Sequence, residues 1–326
     1  MIIARCPLRI SLGGGGTDLK SYYSQREGFL VAGAINKYVY VAIHRTFEDE
    51  IIAKYSDYEK TNSFRNLKHP IIRTVLELYA NDLNNLEITS LADIPGGTGL
   101  GSSSAFTNSL IKAIFATKVD DISNEKLAES SCYVEIEKLK EPIGKQDQFI
   151  TALGGLRALT FKKDGSVKNK MIYKNIEDFD EFSSNLVMVF TGSTRSASKI
   201  LSDQKIKSEA MDSEMLENLD KTKALGKLSL KLLQDKDFNE YGKVMHEHWV
   251  NKKKRSPGMT SKKIDELYEY GINSGANGGK VIGAGGGGFI LFQTEDRNKL
   301  IKRLRKSNLR VVNFSFVNQG TEIINI

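Results

Sequence analysis

The sequence predicts an α+β protein of two domains, residues 1–180 and 181–326, with a functional cleft between them. Strand-like alternation fills the first third, whereas helical periodicity dominates from about 196 to 273. The elements do not alternate strand and helix in the way a parallel sheet requires. Three separate glycine-rich segments, Gly13–Gly16, Gly96–Gly101 and Gly283–Gly288, fall at strand ends or between strands.

The elements follow in order. Ile2 to Leu12 alternates as a strand and runs into the first glycines, and Phe29 to Ile43 is a second strand-like run. Pro70 to Tyr79 reads as a helix and Leu86 to Leu91 as a strand. Phe106, Leu110, Ile111, Ile114 and Phe115 recur at helical spacing after the second glycine segment. Asn124 to Lys140 is expected to be a helix, and Phe149 to Phe161 to return to short strands. The polar stretch Lys162 to Phe182 marks the expected boundary. Asn185 to Phe190 opens the second unit as a strand, and helices follow at 196–208, 213–235, 237–254 and 261–273. The glycine-rich segment Gly278 to Phe292, a helix near 295–307 and a strand over Leu309 to Val317 close the chain.

Pro95 to Ala105 is the most informative segment. A strand, a glycine turn and a helix start present free backbone N–H groups and the positive end of a helix dipole to an anion. Glycine lets a phosphate approach the main chain without meeting a Cβ. Ser102, Ser103 and Ser104 can cap the helix or offer oxygen to a metal ion. No Gly-Lys-Ser/Thr closes the loop, so it is not a Walker sequence. A tight turn followed by a capped helix is the competing reading. Three such segments in one chain favour convergence on a phosphate-bearing ligand.

Glu135 lies in line with Ala128, Cys132 and Leu139 on the mainly apolar stripe of its helix, while Glu137 points to the opposite side. A carboxylate on that stripe needs a partner, either a divalent cation or a lysine or arginine. Asp147 follows a Pro-x-Gly turn and is expected before a strand, at a loop tip facing a cleft.

Composition removes other classes. The chain has 326 residues, 40% hydrophobic and 27% charged, with net charge +7. Cys6 and Cys132 are too few for a disulfide framework or a zinc site, which points to a reducing compartment. No signal peptide or membrane span is expected, and the protein is read as cytoplasmic with no membrane partner. The basic clusters at Lys252 to Arg255 and Lys299 to Lys306 lack interleaved aromatics, so nucleic acid is not an expected partner. His246 and His248 stand two apart on a helix, which splits them onto different faces and excludes a metal pair. Homo-oligomerisation is left open.

These segments, in their order, resemble the GHMP-type small-molecule kinases, the family of galactokinase, homoserine kinase and mevalonate kinase. Cys6 to Asp18 resembles the family's N-terminal motif, Pro95 to Ala105 its phosphate-binding motif and Lys280 to Gly288 its C-terminal glycine motif. The resemblance implies a fold with an N-terminal domain like domain 2 of ribosomal protein S5 and a ferredoxin-like C-terminal domain. It implies ATP and Mg²⁺ as cofactors, with Gly97, Gly99, Gly101 and Ser102 to Ser104 around the phosphates and Ser103 and Glu135 on the metal. It also implies Asp147 as the acid–base residue or orienting charge, Arg9 as its basic partner and Asp18 on the sugar hydroxyls. Gly15, Gly16, Thr17, Gly285 and Gly286 complete the expected substrate site.

Where galactokinase-like sequences carry Glu-His before Thr-Asp, this chain has Gly15 and Gly16. That version resembles the heptose 7-phosphate kinases and, more loosely, the kinase part of fucose kinases. The resemblance therefore implies phosphorylation of the C1 hydroxyl of D-glycero-D-manno-heptose 7-phosphate to the 1,7-bisphosphate, in nucleotide-activated heptose biosynthesis. A neutral sugar-1-kinase and a non-catalytic ATP- and sugar-binding regulator are the alternatives. Arg195, in a hydroxyl-rich turn, and the run Lys252, Lys253, Lys254 and Arg255 are the candidates for gripping the substrate's own phosphate.

Overall fold

The computed structural model describes residues 1–194 and 198–324. Two sheets carry the chain, and each is built mainly of antiparallel strands.

The first sheet contains β1 (Ile2–Gly13), β2 (Gly28–Arg45), β3 (Ile51–Lys54), β4 (Tyr58–Thr61), β5 (Leu86–Ala92), β6 (Leu156–Phe161) and β7 (Val167–Met171), in addition to β12 (Glu322–Ile324). The long strand β2 organises it. One edge of β2 pairs with β1, while the other is shared between β6 along Gly28–Gly33 and β5 along Val39–Arg45. Among the described residues, only the β3–β5 pair is parallel. Helices α1 (Lys20–Arg26), α2 (Pro70–Tyr79), α3 (Ser102–Thr117), α4 (Asn124–Cys132) and α5 (Gln146–Leu153) belong to this half, with α6 (Ile176–Ser184) at its end. From Cys6 to Gly13, β1 is buried on both faces, with α3 and α8 (Ser213–Gln234) packed against it. Strand alternation puts Leu8, Ile10 and Leu12 on one face and Arg9, Ser11 and Gly13 on the other. That alternation delivers Arg9 and Ser11 to the cleft described below.

The second sheet has the order β11-β8-β10-β9, built from β8 (Leu186–Phe190), β9 (Gly278–Val281), β10 (Phe289–Gln293) and β11 (Val311–Val312). This is the all-antiparallel β-α-β-β-α-β arrangement of a ferredoxin-like sheet. Helices α7 (Ser198–Glu209), α8, α9 (Phe238–Lys253) and α10 (Lys262–Asn273) lie between β8 and β9 in sequence, and α11 (Arg297–Lys306) precedes β11.

Four expectations are corrected. Residues 149–153, expected as strand, complete helix α5: Phe149, Ile150 and Leu153 share a helical face, and Gly154 ends the helix at φ 69°. The helix from Asn124 continues to Lys138 but widens into a π-turn over Tyr133–Lys138. The polar stretch 162–182, the expected boundary, is itself regular structure, holding β7 and most of α6. The closing strand shrinks to Val311–Val312 because the chain then returns to the first sheet, where Phe316 bridges Ile35 and β12 pairs with β1. The second unit is therefore not a closed 181–326 block. Among the described residues no helix is long and apolar enough to cross a membrane.

An aromatic cluster ties these returns together. Phe182 in α6 is fully buried and stacks on Phe316 at 5.4 Å, with Phe238 and Tyr241 of α9 against its other sides. Phe182→Ala should destabilise the chain by about 3–5 kcal/mol, read as a fall in the urea midpoint. A loss under about 1 kcal/mol would mean that the cluster collapses around the cavity.

Candidate active site

The three glycine segments meet. Together with Arg9, Asp18 and Asp147 they line a cleft of about 410 Å³ to which both sheets contribute.

One wall is the loop before α3. Gly101 caps that helix in the left-handed conformation, at φ 78°, with no side chain on the first-turn amides. A Cβ there would stand 3.2 Å from Arg9 and 3.3 Å from Oδ2 of Asp147, so the position suits glycine on two counts. The N–H groups of the first turn stay free for an anion. Gly97, Gly99, Ser102, Ser103 and Ser104 face the same space. Behind them Glu135 is 1% exposed and accepts hydrogen bonds from Ser103 Oγ at 2.8 Å, Ser104 Oγ at 2.8 Å and Gln148 Nε2 at 2.7 Å. Burial raises its carboxyl pKa, the three donors oppose that rise, and Asp147 adds repulsion. All its hydrogen-bond partners are neutral, so it is a buried carboxylate without a cation.

At the centre Arg9 holds Asp147 in a two-pronged pair, Nε to Oδ1 and Nη2 to Oδ2, both at 2.7 Å. Its third nitrogen, Nη1, donates to the carbonyl of Gly99 in the phosphate loop. Gln146 Nε2 also donates to Oδ1 of Asp147, at 3.0 Å, and Gln146 Oε1 accepts from Ser11 Oγ at 2.9 Å. Asp147 Oδ2 is thus the less occupied oxygen, and it faces Gly101.

The opposite wall is the loop after β1. Asp18, 7% exposed, accepts from the backbone N–H of Gly16 at 3.0 Å and of Gln146 at 3.1 Å. Burial, reinforced by Asp147, raises its pKa. Three side chains from later in the chain, on α7, on α9 and in the turn after α9, grip this loop. His248 Nε2 accepts from Gly14 N–H at 3.1 Å, Arg255 Nη1 donates to Gly15 O at 3.1 Å and Gln204 Nε2 donates to Gly16 O at 2.9 Å. A Cβ on Gly16 would fall 2.5 Å from Arg255 Nη1, so the glycine makes room for that guanidinium.

The floor is positively charged. Arg255 is 6% exposed and donates only to neutral acceptors, Gly15 O, Asn218 Oδ1 and Thr222 Oγ1. Lys252 donates to the carbonyls of Val281 and Gly283. Lys280, 5% exposed on β9, has neither a side-chain hydrogen bond nor an ion pair among the described residues. Burial and the nearby Arg255 and Arg9 push its pKa down to about 7. Burial lowers Arg255 to about 10, and Lys252 is driven well below an ordinary lysine. Uncompensated cations at the bottom of a cleft fit an anionic ligand.

Most residues singled out in the sequence line this one cleft, with Glu135 directly behind it. Two do not. Thr17 is fully buried, donating to Gly14 O and Phe29 O and accepting from Phe29 N, so its hydroxyl is consumed in holding the turn. Gly286 donates to Met259 O and is outside the lining, where Gly285 remains. Lys253 is exposed and pairs with Asp265 at 3.4 Å, and Lys254 is exposed too. Arg195 lies outside the described residues. Lys280, Gln146, Ser11, Gln204 and His248 were not foreseen. A lone lysine inside the apolar run Gly278 to Phe292 was a usable signal for Lys280. The others are set by long-range packing.

The GHMP kinase N-terminal domain profile matches residues 68–155, and the GHMP kinase C-terminal profile matches residues 229–309. The chain is 28% identical to the D-glycero-alpha-D-manno-heptose 7-phosphate kinase of Campylobacter jejuni, over 98% of each protein. It is 24% identical to the bifunctional fucokinase/GDP-fucose pyrophosphorylase of Arabidopsis thaliana, over 92% of this chain and 30% of that one. Among solved structures, a D-glycero-D-manno-heptose 1-phosphate kinase from Bacteriodes thetaiotaomicron superposes with a TM-score of 0.82. That match covers 100% of this chain and 99% of the other at 24% identity, and shows a shared fold.

Lys280 has a thermodynamic signature. Its folded pKa near 7 lies below the ordinary 10.5, so between those values the unfolded chain binds the extra proton and stability rises with pH. Below pH 7 the cost of the buried charge is fully present. Lys280→Met should therefore melt higher than wild type at pH 6, with the gap closing toward pH 9 to 10. Parallel melting curves across that range would show that Lys280 is charged and paid for in both states.

Proposed function

Because this chain belongs to the GHMP kinase family, we propose that it transfers the γ-phosphoryl group of ATP to the anomeric C1 hydroxyl of a sugar that already carries a phosphate, of the D-glycero-D-manno-heptose 7-phosphate type. One observation supports this reading most: the buried Lys280 and Arg255 and the half-buried Lys252, none in an ion pair among the described residues, sit in the same cleft as the glycine loop of α3. The glycine loop accounts for the phosphates of ATP, and a neutral sugar would leave those cations without a partner.

Phosphoryl transfer is mostly positioning and charge neutralisation. The acceptor oxygen bonds to the γ-phosphorus as the bond to the β,γ-bridging oxygen breaks, and the hydroxyl proton must leave. Asp147 Oδ2, the oxygen that accepts from Arg9 alone, is the atom placed to take it. Arg9 fixes the carboxylate and, through Gly99 O, its distance from the phosphate loop. Asp18 and Gln146 offer acceptors and donors for sugar hydroxyls on the other wall.

The donors at Ser103 and Glu135 fit Mg²⁺. A buried carboxylate with no cationic neighbour and an adjacent hydroxyl are oxygen ligands of the hard type that ion takes beside phosphates. When bound there, Mg²⁺ would neutralise charge on the β- and γ-phosphate oxygens.

Two measurements test the reading. Turnover of D-glycero-D-manno-heptose 7-phosphate should exceed that of the same heptose without its phosphate by a hundredfold or more in kcat/KM, since charge-assisted contacts contribute roughly 1.5–3 kcal/mol each. Equal efficiency would refute it and favour a neutral sugar-1-kinase such as a fucokinase. Asp147→Asn should retain ATP binding while turnover drops by roughly two orders of magnitude or more. Near-normal turnover would remove Asp147 from the chemistry.

A further inference from the structure

His248 stands among the cleft residues with half of its imidazole unexplained. The residue lies in the last turns of α9, is 4% exposed, and lines the cleft. Its Nε2 accepts from the backbone N–H of Gly14 at 3.1 Å. A nitrogen that accepts a backbone N–H carries no proton, so the ring is neutral and its single proton is on Nδ1. Burial and the neighbouring Lys280, Arg255 and Lys252 lower the ring's pKa far below the usual 6.5, which keeps that tautomer in place. Among the described residues, Nδ1–H has no acceptor. The nitrogen is not sealed inside the protein but opens to the cleft, so its N–H is free to meet an acceptor from outside.

We infer that His248 is a binding residue for the acceptor sugar, a neutral imidazole whose Nδ1–H meets a ligand oxygen while Nε2 holds the glycine loop. The inference rests on the kinase reading above. It also accounts for the loop's composition. Gly15 and Gly16 carry no side chains to touch a sugar, and His248, Arg255 and Gln204 reach the same loop from α7, α9 and the segment after it. The contacts that a loop side chain would make are supplied instead from the second half of the chain. A neutral donor beside fixed cations suits an oxygen-rich, phosphorylated ligand, because it adds direction without adding another charge.

Two substitutions separate the ring's two nitrogens. In His248→Gln the amide oxygen reaches the Nε2 position and can keep the Gly14 contact, but nothing replaces Nδ1–H. In His248→Asn the amide nitrogen falls near the Nδ1 position and keeps a donor, but the Gly14 contact is lost. The readout is acceptor KM, ATP KM, kcat and melting temperature for the full chain, with D-glycero-D-manno-heptose 7-phosphate as acceptor. His248→Gln should raise acceptor KM about fivefold to twentyfold, with ATP KM and melting temperature near wild type. His248→Asn should keep acceptor KM within about threefold and melt lower. A merely structural histidine would give the reverse, with Gln silent and Asn impaired throughout, and that result overturns the inference. If the wild type ignores the heptose phosphate but turns over L-fucose, the acceptor assignment falls, and the same pair of variants is read on L-fucose. An unchanged KM in His248→Gln on whichever sugar is turned over refutes the role of His248. Turnover of neither sugar overturns both proposals.

Discussion

Arg9 is the side chain on which the cleft depends. Its guanidinium spends Nε and Nη2 on the Asp147 carboxylate and Nη1 on the Gly99 carbonyl, while its backbone N–H donates to Leu100 O. One residue of β1 thereby fixes the start of α5 against the loop before α3. A planar fork can hold three directions at once, which a lysine cannot. The pair is asymmetric in exposure, 5% for the arginine side chain and 28% for the aspartate. A carboxylate so held faces the cleft while its cation is locked in the wall, which suits a group that must meet a ligand without moving.

Much of this arrangement was legible in the sequence, because local rules govern its parts. Strand alternation places Arg9 and Ser11 on one face of β1, and helical spacing puts Glu135 on the buried side of its helix with Glu137 exposed. The free helix start at Ser102 follows from the glycines before it. The misreadings have local causes of a different kind. Residues 149–153 are rich enough in apolar side chains to read as strand, but a first-turn aspartate and a glycine stop make them a helix. Thr17 has the chemistry of a ligand contact and is used instead to close a turn. No local rule announces that Lys252 and Arg255 turn inward while Lys253 and Lys254 face solvent. Their directions follow from where the C-terminus of α9 ends against β9 and the first glycine loop.

The floor of the cleft shows how a fold can store positive charge. Arg255 and Lys252 are pinned by carbonyls, a hydroxyl and an amide, which satisfy their donors but leave the charge intact. Lys280 has no such partner among the described residues. Of the carboxylates near by, Asp147 is committed to Arg9, and Asp18, held by two backbone N–H groups, acts on Arg255 through its charge without pairing with it. Neutralising the floor with a carboxylate would stabilise the empty protein and blunt its attraction for anions. Leaving it bare makes the bound anion the missing counter-charge, so ligand binding and folding stability draw on the same interaction.

The grip of the later helices on Gly14, Gly15 and Gly16 gives that linkage a mechanical side. The groups that hold the loop, His248 and Arg255, are the groups that line the ligand's space. An anion that engages Arg255 therefore also strengthens the seam between the first sheet and α9. The same loop positions Asp18 through the Gly16 N–H, and Asp18 in turn meets the N–H of Gln146 at the start of the helix that carries Asp147. The wall proposed to meet the sugar and the carboxylate proposed as base are thus joined by the Asp18 side chain, held between the backbone N–H groups of Gly16 and Gln146. A change that moves Gly16 away from Asp18 should therefore act on acceptor binding and on Asp147 together, whereas a change to a single ligand donor should act on binding alone.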